Sequence, residues 1–469
     1  MESHSRDFLE RAGEALADPE RAQLREALGI HLPDVRGAAV DAFGDFSALR
    51  KAVREIREHA LSHLDHYLEQ FSDEARRNGS QVHYARDAGE LNGKVLEICT
   101  GHEARQVIKG KSMITEETGL NAALQDAGLK VRETDLGEYI VQEAGETPSH
   151  IVAPALHKPE AEIRDLFFDR HDLGVRELDN ADAMVAEARS VLREEFLAGD
   201  VGIVGSNALV AEGGYSMLVT NEGNGDLCAN LPPVLIVCTS VDRVLPRMQD
   251  AAAMLRLLVR STTGQPVTSY SSFYGGPRRP GDLDGPLEVH FVLLDNRRSD
   301  ILASDYRDML HCIRCGACLN HCPIYTSAGG HAYGWVYPGP MGSVLTPLLT
   351  SLEESHQLPN ACTACGRCAE VCPGDIPLPD LLRDLRAEEF DRGITARRWR
   401  LGLRLHGWLL LRPRLYAALT GLALRVLHPL GRRRGVLRRL PLAGGWLQAR
   451  DLPTPPAHSF QQQWRKRGD

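Results

Sequence analysis

Two stretches, HCIRCGACLNHCP at 311–323 and ACTACGRCAEVCP at 361–373, decide how this chain is read. Each holds three cysteines two residues apart, a fourth after three more residues, and a proline directly behind it. The first run is Cys312, Cys315, Cys318, Cys322 and Pro323, and every cysteine recurs fifty residues later as Cys362, Cys365, Cys368, Cys372 and Pro373. Three thiolates at this spacing can wrap three corners of a cubane from one loop. The fourth lies a helical turn further on and, in two-cluster ferredoxins, ligates the other cluster. Two [4Fe–4S] clusters are therefore expected, one on Cys312, Cys315, Cys318 and Cys372, the other on Cys362, Cys365, Cys368 and Cys322. Gly316 and Gly366 leave room for backbone amides to approach sulfide, and Pro323 and Pro373 turn the chain away. Zinc also uses CxxC pairs, but normally two pairs without a third cysteine and a following CP.

The opening residues, MESHSRDFLERAGEALADPERAQL, lack the basic start, apolar run and cleavage site of an export signal. A cytoplasmic setting is expected, and the eleven cysteines should be reduced thiols rather than disulfides. Cys99, Cys228 and Cys238 lie outside the two runs and are expected to be buried bystanders.

Working outward, the 39 residues between the runs are mostly helical in pattern, with glycine breaks. That stretch resembles the α-helical ferredoxin of succinate dehydrogenase and heterodisulfide-reductase-like subunits, which implies electron relay over 301–390. Upstream, in 79–300, the runs VIKG, HIVAP, VGIVG, YSMLVT, VLIVCT and VHFVLL alternate with helical patterns such as PEAEIRDLF, ADAMVAEARSVLREEFL and DAAAMLRLLVRS. The alternation predicts an α/β domain with a largely buried sheet. In 1–78, Leu49, Val53, Ile56, Ala60, Leu64, Leu68 and Phe71 recur at helical spacing and predict one long amphipathic helix.

Downstream lies an arginine-rich tail, 391–469. Residues 391–450 contain fourteen arginines, no lysine and one acid, Asp391, so the rest of the chain is more acidic than the net charge of −9 suggests. The tail has helical leucine spacing punctuated by Pro413, Pro429 and Pro441, and DLPTPPAHSF reads as an extended linker. Arg404, Arg412, Arg414 and Arg425 interrupt the best apolar run, so no membrane span is expected. The basic stretch could meet an acidic partner, anionic lipid at the inner membrane face, or the chain's own acidic remainder, and nothing suggests nucleic acid.

The segments KSMITEETGLN, ETDLGEYIVQ, PSHIVAPALHK and LVTNEGNGDLCANLPPV, followed by the double cysteine run and LPTPPAHSFQQQWRKRG, together resemble one family across essentially the whole chain. It is the lactate-utilisation iron–sulfur protein, the B component of a three-part L-lactate-oxidising system. The resemblance implies a lactate-utilisation domain similar in fold to CoA-transferase-like proteins and formyltetrahydrofolate cyclo-ligase, joined to the α-helical dicluster ferredoxin domain. It also implies that the chain carries electrons as L-lactate becomes pyruvate, beside a cysteine-rich A component and a smaller C component.

The turn Thr220-Asn221-Glu222-Gly223-Asn224-Gly225 after YSMLV could receive an anion on its amides, or could merely reverse the chain. Lys111, Ser112, His157 and Lys158, in other shared segments, could add charge and a proton acceptor for a carboxylate. Together with Asn221, Glu222, Gly223 and Asn224 they form the candidate anion pocket. Where family members commonly show an acid, Thr, Gly and Ser before that strand, this chain has Glu212-Gly213-Gly214-Tyr215. No G-x-G-x-x-G opens a helix and no P-loop occurs, so neither a nicotinamide nor an ATP site is argued. Three functions stay open. They are a redox subunit, an α/β domain itself catalytic on a small acid or acyl thioester, and a tail-anchored relay to quinone at a membrane surface.

Overall fold

The computed structural model describes residues 3–440, 447, 450–465 and 467, so Pro441 lies outside the described residues. The chain divides into two compact units, 1–388 and 389–469.

In the first unit the apolar runs become strands. The chain order is β1 (Gln81–Ala85), β2 (Gln106–Lys109), β3 (Lys130–Glu133), β4 (Val201–Val204), β5 (Ala208–Val210), β6 (Tyr215–Thr220), β7 (Val234–Ser240), β8 (Val244–Leu245), β9 (Tyr270–Tyr274) and β10 (Glu288–Leu294). The main sheet runs β1-β10-β7-β4-β2-β3 with every neighbour parallel. Parallel strands need helical crossovers, which cover both faces. This is why β4 and β7 are buried along their whole length and read as unbroken apolar runs.

Alternate side chains feed two cores. Leu235, Val237 and Phe291 pack with Phe71, Phe167 and Met184, while Val234, Ile236 and Cys238 pack with Leu91, Val95 and Cys99. Cys228 belongs to the first of these cores. Burial pushes the thiols of Cys99, Cys228 and Cys238 up to about 12, so none of the three is a ready thiolate.

A second sheet, β8-β5-β6-β9, grows from the chain just beyond β4. Gly214, in the β5–β6 turn, has φ +64, and a Cβ there would lie 2.3 Å from the Ala75 backbone nitrogen, so glycine is required.

Two sequence expectations differ from the structure. The single helix over 49–71 is broken at His63 into Phe46–Ser62 and Leu64–Arg77. The break lets Val53 face the core under the cysteine loops while Phe71 and Ala75 face the main sheet. HIVAP is a loop, not a strand. The His150 ring accepts the Val152 and Ala153 amides, which are then lost to any ladder.

The regular elements of the cysteine segment are helices, from Ala317–Asn320 to Leu378–Arg392, with Gly339–Leu349 as its buried centre. N-terminal arginines hold its second loop. Arg36 donates to Val371 O at 2.8 Å, Arg50 to Glu370 O at 3.3 Å, and Arg54 to Gly374 O at 3.1 Å.

In the second unit, helices Arg397–Leu410 and Pro413–Gly431 precede a short antiparallel pair of Val436–Leu437 with Leu452–Pro453. Part of the expected linker is thus paired. Among the described residues no helix is long and apolar enough to cross a membrane.

Candidate metal centres and the adjoining cavity

The two cysteine runs repeat in backbone as well as in sequence. Arg314 and Ala364, each between the first and second cysteine of its run, have φ +60 and +55. This left-handed geometry turns each amide onto sulfur, Arg314 N to Cys312 Sγ at 3.4 Å and Ala364 N to Cys362 Sγ at 3.2 Å. Gly316 and Gly366, with φ +77 and +81, then start the one-turn helices that carry the third cysteines. The fourth cysteines are exchanged between runs. Cys372 lines one hollow with Cys312, Cys315 and Cys318, and Cys322 lines another with Cys362, Cys365 and Cys368.

The donors fit iron–sulfur chemistry. Burial pushes the Cys315 and Cys368 thiols up to about 12 and Cys372 to about 11, so thiolates persist there only beside a compensating cation. Charge around the first set fits too. Arg57, Arg243, Arg298 and Arg314 gather around two buried carboxylates, Glu117 and Asp242. Arg298 grips Glu117 at 2.8 and 2.7 Å, and Arg243 Nη1 donates to Cys312 O at 3.0 Å. Burial opposes ionisation of Asp242, yet Arg243, Arg298 and Arg57 hold its carboxyl well below the usual range. The surplus of buried cation suits an anionic, thiolate-ligated cluster.

Against the first cysteine loop lies a cavity of about 260 Å³, at the carboxyl ends of β2 and β4 where Gly110 and Gly205 follow. It brings together Lys111, Ser112, Asn221, Glu222 and Asn224, from two separate segments. Lys111 Nζ donates to Val152 O at 2.6 Å, and Ser112 caps Met113–Thr118. Asn221 bridges to Gln265 at 3.1 Å, and Glu222 is exposed. Asn224 is buried with Oδ1 unpartnered, as is Thr220 Oγ1. Gly223 supplies the left-handed turn, at φ +77, without lining the cavity.

The structure does not bring His157 and Lys158 to this cavity. His157 Nε2 meets Glu146 at 2.7 Å and its Nδ1 meets Ser149 Oγ at 2.8 Å, while Lys158 pairs with the same Glu146. Burial, then His331, pushes the His157 ring down to about 4, so it is neutral near pH 7. The cavity also recruits residues that motif reading passes over, chiefly Arg314 and Arg243. Arg314 is signalled in sequence by its place inside a CxxC, whereas Arg243 carries no local signal.

Comparison with known proteins agrees with this geometry. The family described as LUD domain matches residues 68–294, and that described as 4Fe-4S dicluster domain matches 308–376. The chain is 41% identical to Lactate utilization protein B of Shouchella clausii (strain KSM-K16), over 98% of this chain and 97% of that one. It belongs to the lactate utilization protein B family. It is also 38% identical, over 99% of this chain and 98% of the other, to a protein of Escherichia coli (strain K12) named Uncharacterized electron transport protein YkgF. A solved DUF162 family protein from Deinococcus radiodurans shares 14% identity, with coverage of 49% of this chain and 98% of that one. Its TM-score of 0.29 is too low to argue from. Within the lactate utilization protein B family, the paired thiol sets make 308–376 an iron–sulfur module.

Proposed function

We propose that this chain is the iron–sulfur electron-carrying subunit of a complex that oxidises L-lactate to pyruvate, working in the cytoplasm. Cys312, Cys315, Cys318 and Cys372 hold one [4Fe–4S] cluster, and Cys322, Cys362, Cys365 and Cys368 a second. Bound clusters of this type supply one-electron transfer. The observation that carries the reading is the exchange of the fourth cysteine, which leaves two sets of four thiols at the spacing of a two-cluster ferredoxin. The names of the relatives, one for lactate utilization and one for electron transport, support it.

The chain's own residues hold, insulate and balance charge. Met341, Ile376 and Leu378 wall the first set, and the N-terminal arginines fix the loop that follows the second. One-electron carriers do not accept a hydride, so the two-electron step at the hydroxy carbon is assigned to a companion, the cysteine-rich A or the smaller C component. The competing reading, a CoA-transferase-like or cyclo-ligase-like domain acting on a small acid or acyl thioester, makes the opposite prediction. Cluster-loaded chain, free of other proteins, should form no pyruvate from L-lactate with an artificial acceptor. Its EPR signal should report reduction by L-lactate once the companions are added. Turnover by the chain alone would move the chemistry into the α/β domain.

One observation favours an added peripheral contact at the inner membrane face. Helix Arg397–Leu410 exposes Trp399, Leu401 and Trp408 among its arginines.

A further inference from the structure

The cavity at the carboxyl ends of β2 and β4 lies between two modules, and one of its cations, Arg314, comes from the cysteine loop. Arg314 stacks its guanidinium 4.2 Å over the Tyr337 ring. Tyr337 is fixed in turn by its hydroxyl, which donates to Glu117 Oε2 at 2.5 Å. Stacking orients the arginine but satisfies none of its N–H groups, and Nε and Nη1 are both buried without a partner. In the same lining, Thr220 Oγ1 and Asn224 Oδ1 are likewise buried and unpartnered. Lys111 adds a second cation, with one of its three donors spent on Val152 O. The lining also holds hydrocarbon from Ile114, Leu218, Val259 and Ile313, and two carboxylates, Asp135 and Glu222.

Buried groups of this kind are costly unless something completes them. Cations, a hydroxyl, an amide oxygen and hydrocarbon in one lining are the complement of a small organic acid bearing one carboxylate and a second polar group. A fully hydrated inorganic anion would leave the apolar wall unused.

We propose that this cavity binds a small 2-oxo or 2-hydroxy carboxylic acid, with Arg314 receiving the carboxylate, Thr220 Oγ1 donating to the oxygen at C2, and Asn224 Oδ1 accepting from that oxygen when it is a hydroxyl. An acid held there lies directly against the first cysteine loop, since Arg314 N also donates to Cys312 Sγ at 3.4 Å. The choice of acid rests on the lactate reading above. The existence of the site rests on the cavity and its unpartnered groups.

The test is anaerobic isothermal titration of the full, cluster-loaded chain with pyruvate. One saturable site per chain is expected. Arg314→Gln should weaken it at least about tenfold, the usual loss for a hydrogen bond to a charged group. Thr220→Val, isosteric and off the cysteine loop, should weaken it severalfold at unchanged iron content, which guards against cluster damage in the first variant. Lys158→Gln, outside the cavity, should leave affinity unchanged. Absence of saturable binding, or inorganic phosphate binding as tightly as pyruvate, overturns the proposal. So does a larger loss in Lys158→Gln than in Arg314→Gln. If pyruvate does not bind, yet the chain is still reduced by L-lactate with its companions, the site falls and the relay reading stands.

Discussion

One imidazole ties the α/β domain to the cysteine module. The His150 Nδ1 accepts the amides of Val152 and Ala153, both at 3.0 Å, and Nε2 lies 3.1 Å from Asn320 Oδ1. A nitrogen that accepts two amide protons carries none itself, so Nε2–H is the donor to Asn320. Burial first, then the charge of Lys111, pushes this ring down to about 4 from an ordinary value of 6.5. Between those values the unfolded chain binds a proton that the folded chain does not. Stability therefore rises with pH across that window and falls on acidification, by up to about 1.4 kcal/mol per pH unit for this ring. Anaerobic urea unfolding at pH 6.5, 5.7 and 5.0 should show a shallower loss of midpoint in His150→Gln than in the parent chain, and parallel slopes would remove the ring from the account. His157 and His311, both also near 4, keep the slope above zero in the variant. Nothing local in HIVAP announces this role. Its Ile and Val argue for a strand, and the ring that captures the amides reaches Asn320, 170 residues away.

Elements whose chemistry is local were legible in the sequence, and elements defined by what they meet were not. The grouping of the cysteine loops is visible in sequence because ligand spacing is short-range, whereas the left-handed turn at Gly316 and Gly366 appears only in the structure. Strands β4 and β7 read correctly because burial on both faces leaves an unbroken apolar run. The short β5, β8 and β9 have no such signature, and β6 was seen without its partners. Arg36, Arg50 and Arg54 look like the solvated face of an amphipathic helix, yet they bind carbonyls around the second cysteine run. The cavity draws on segments from Gly110 to Arg314, so no window of sequence contains it. The tail helix Arg397–Leu410 poses the opposite case. It buries none of its own residues, and Trp399 and Leu401 are 63% and 70% exposed. An apolar and arginine-rich surface of this kind suits the interface of an anionic bilayer. The full chain should co-sediment with vesicles containing phosphatidylglycerol at low salt, and deletion of 391–450 should abolish this. Equal sedimentation of both chains would dismiss the tail as an anchor.

At the scale of the whole molecule, 1–388 form one compact unit, so the LUD domain and the cysteine module are not beads on a string. The exchanged cysteines give that unity a spectroscopic consequence. Cluster-loaded chain should contain about eight iron and eight acid-labile sulfide. Cys322→Ala should chiefly remove the EPR signal of the centre built on the second run, and Cys372→Ala that of the first. Loss of each run's own centre instead would rule out the exchange. The same exchange also sets an order for biogenesis. On this wiring, neither centre has its full complement of thiols until both 312–322 and 362–372 have left the ribosome. A nascent chain that ends between them offers Cys312, Cys315 and Cys318 without Cys372, and a Cys322 whose three partners are not yet made, an opening for adventitious zinc or copper. Cofactor delivery therefore has to wait for late translation. Oxidative loss of one centre would also loosen a ligand-bearing segment of the other, so the two should be assembled, and destroyed, as a pair.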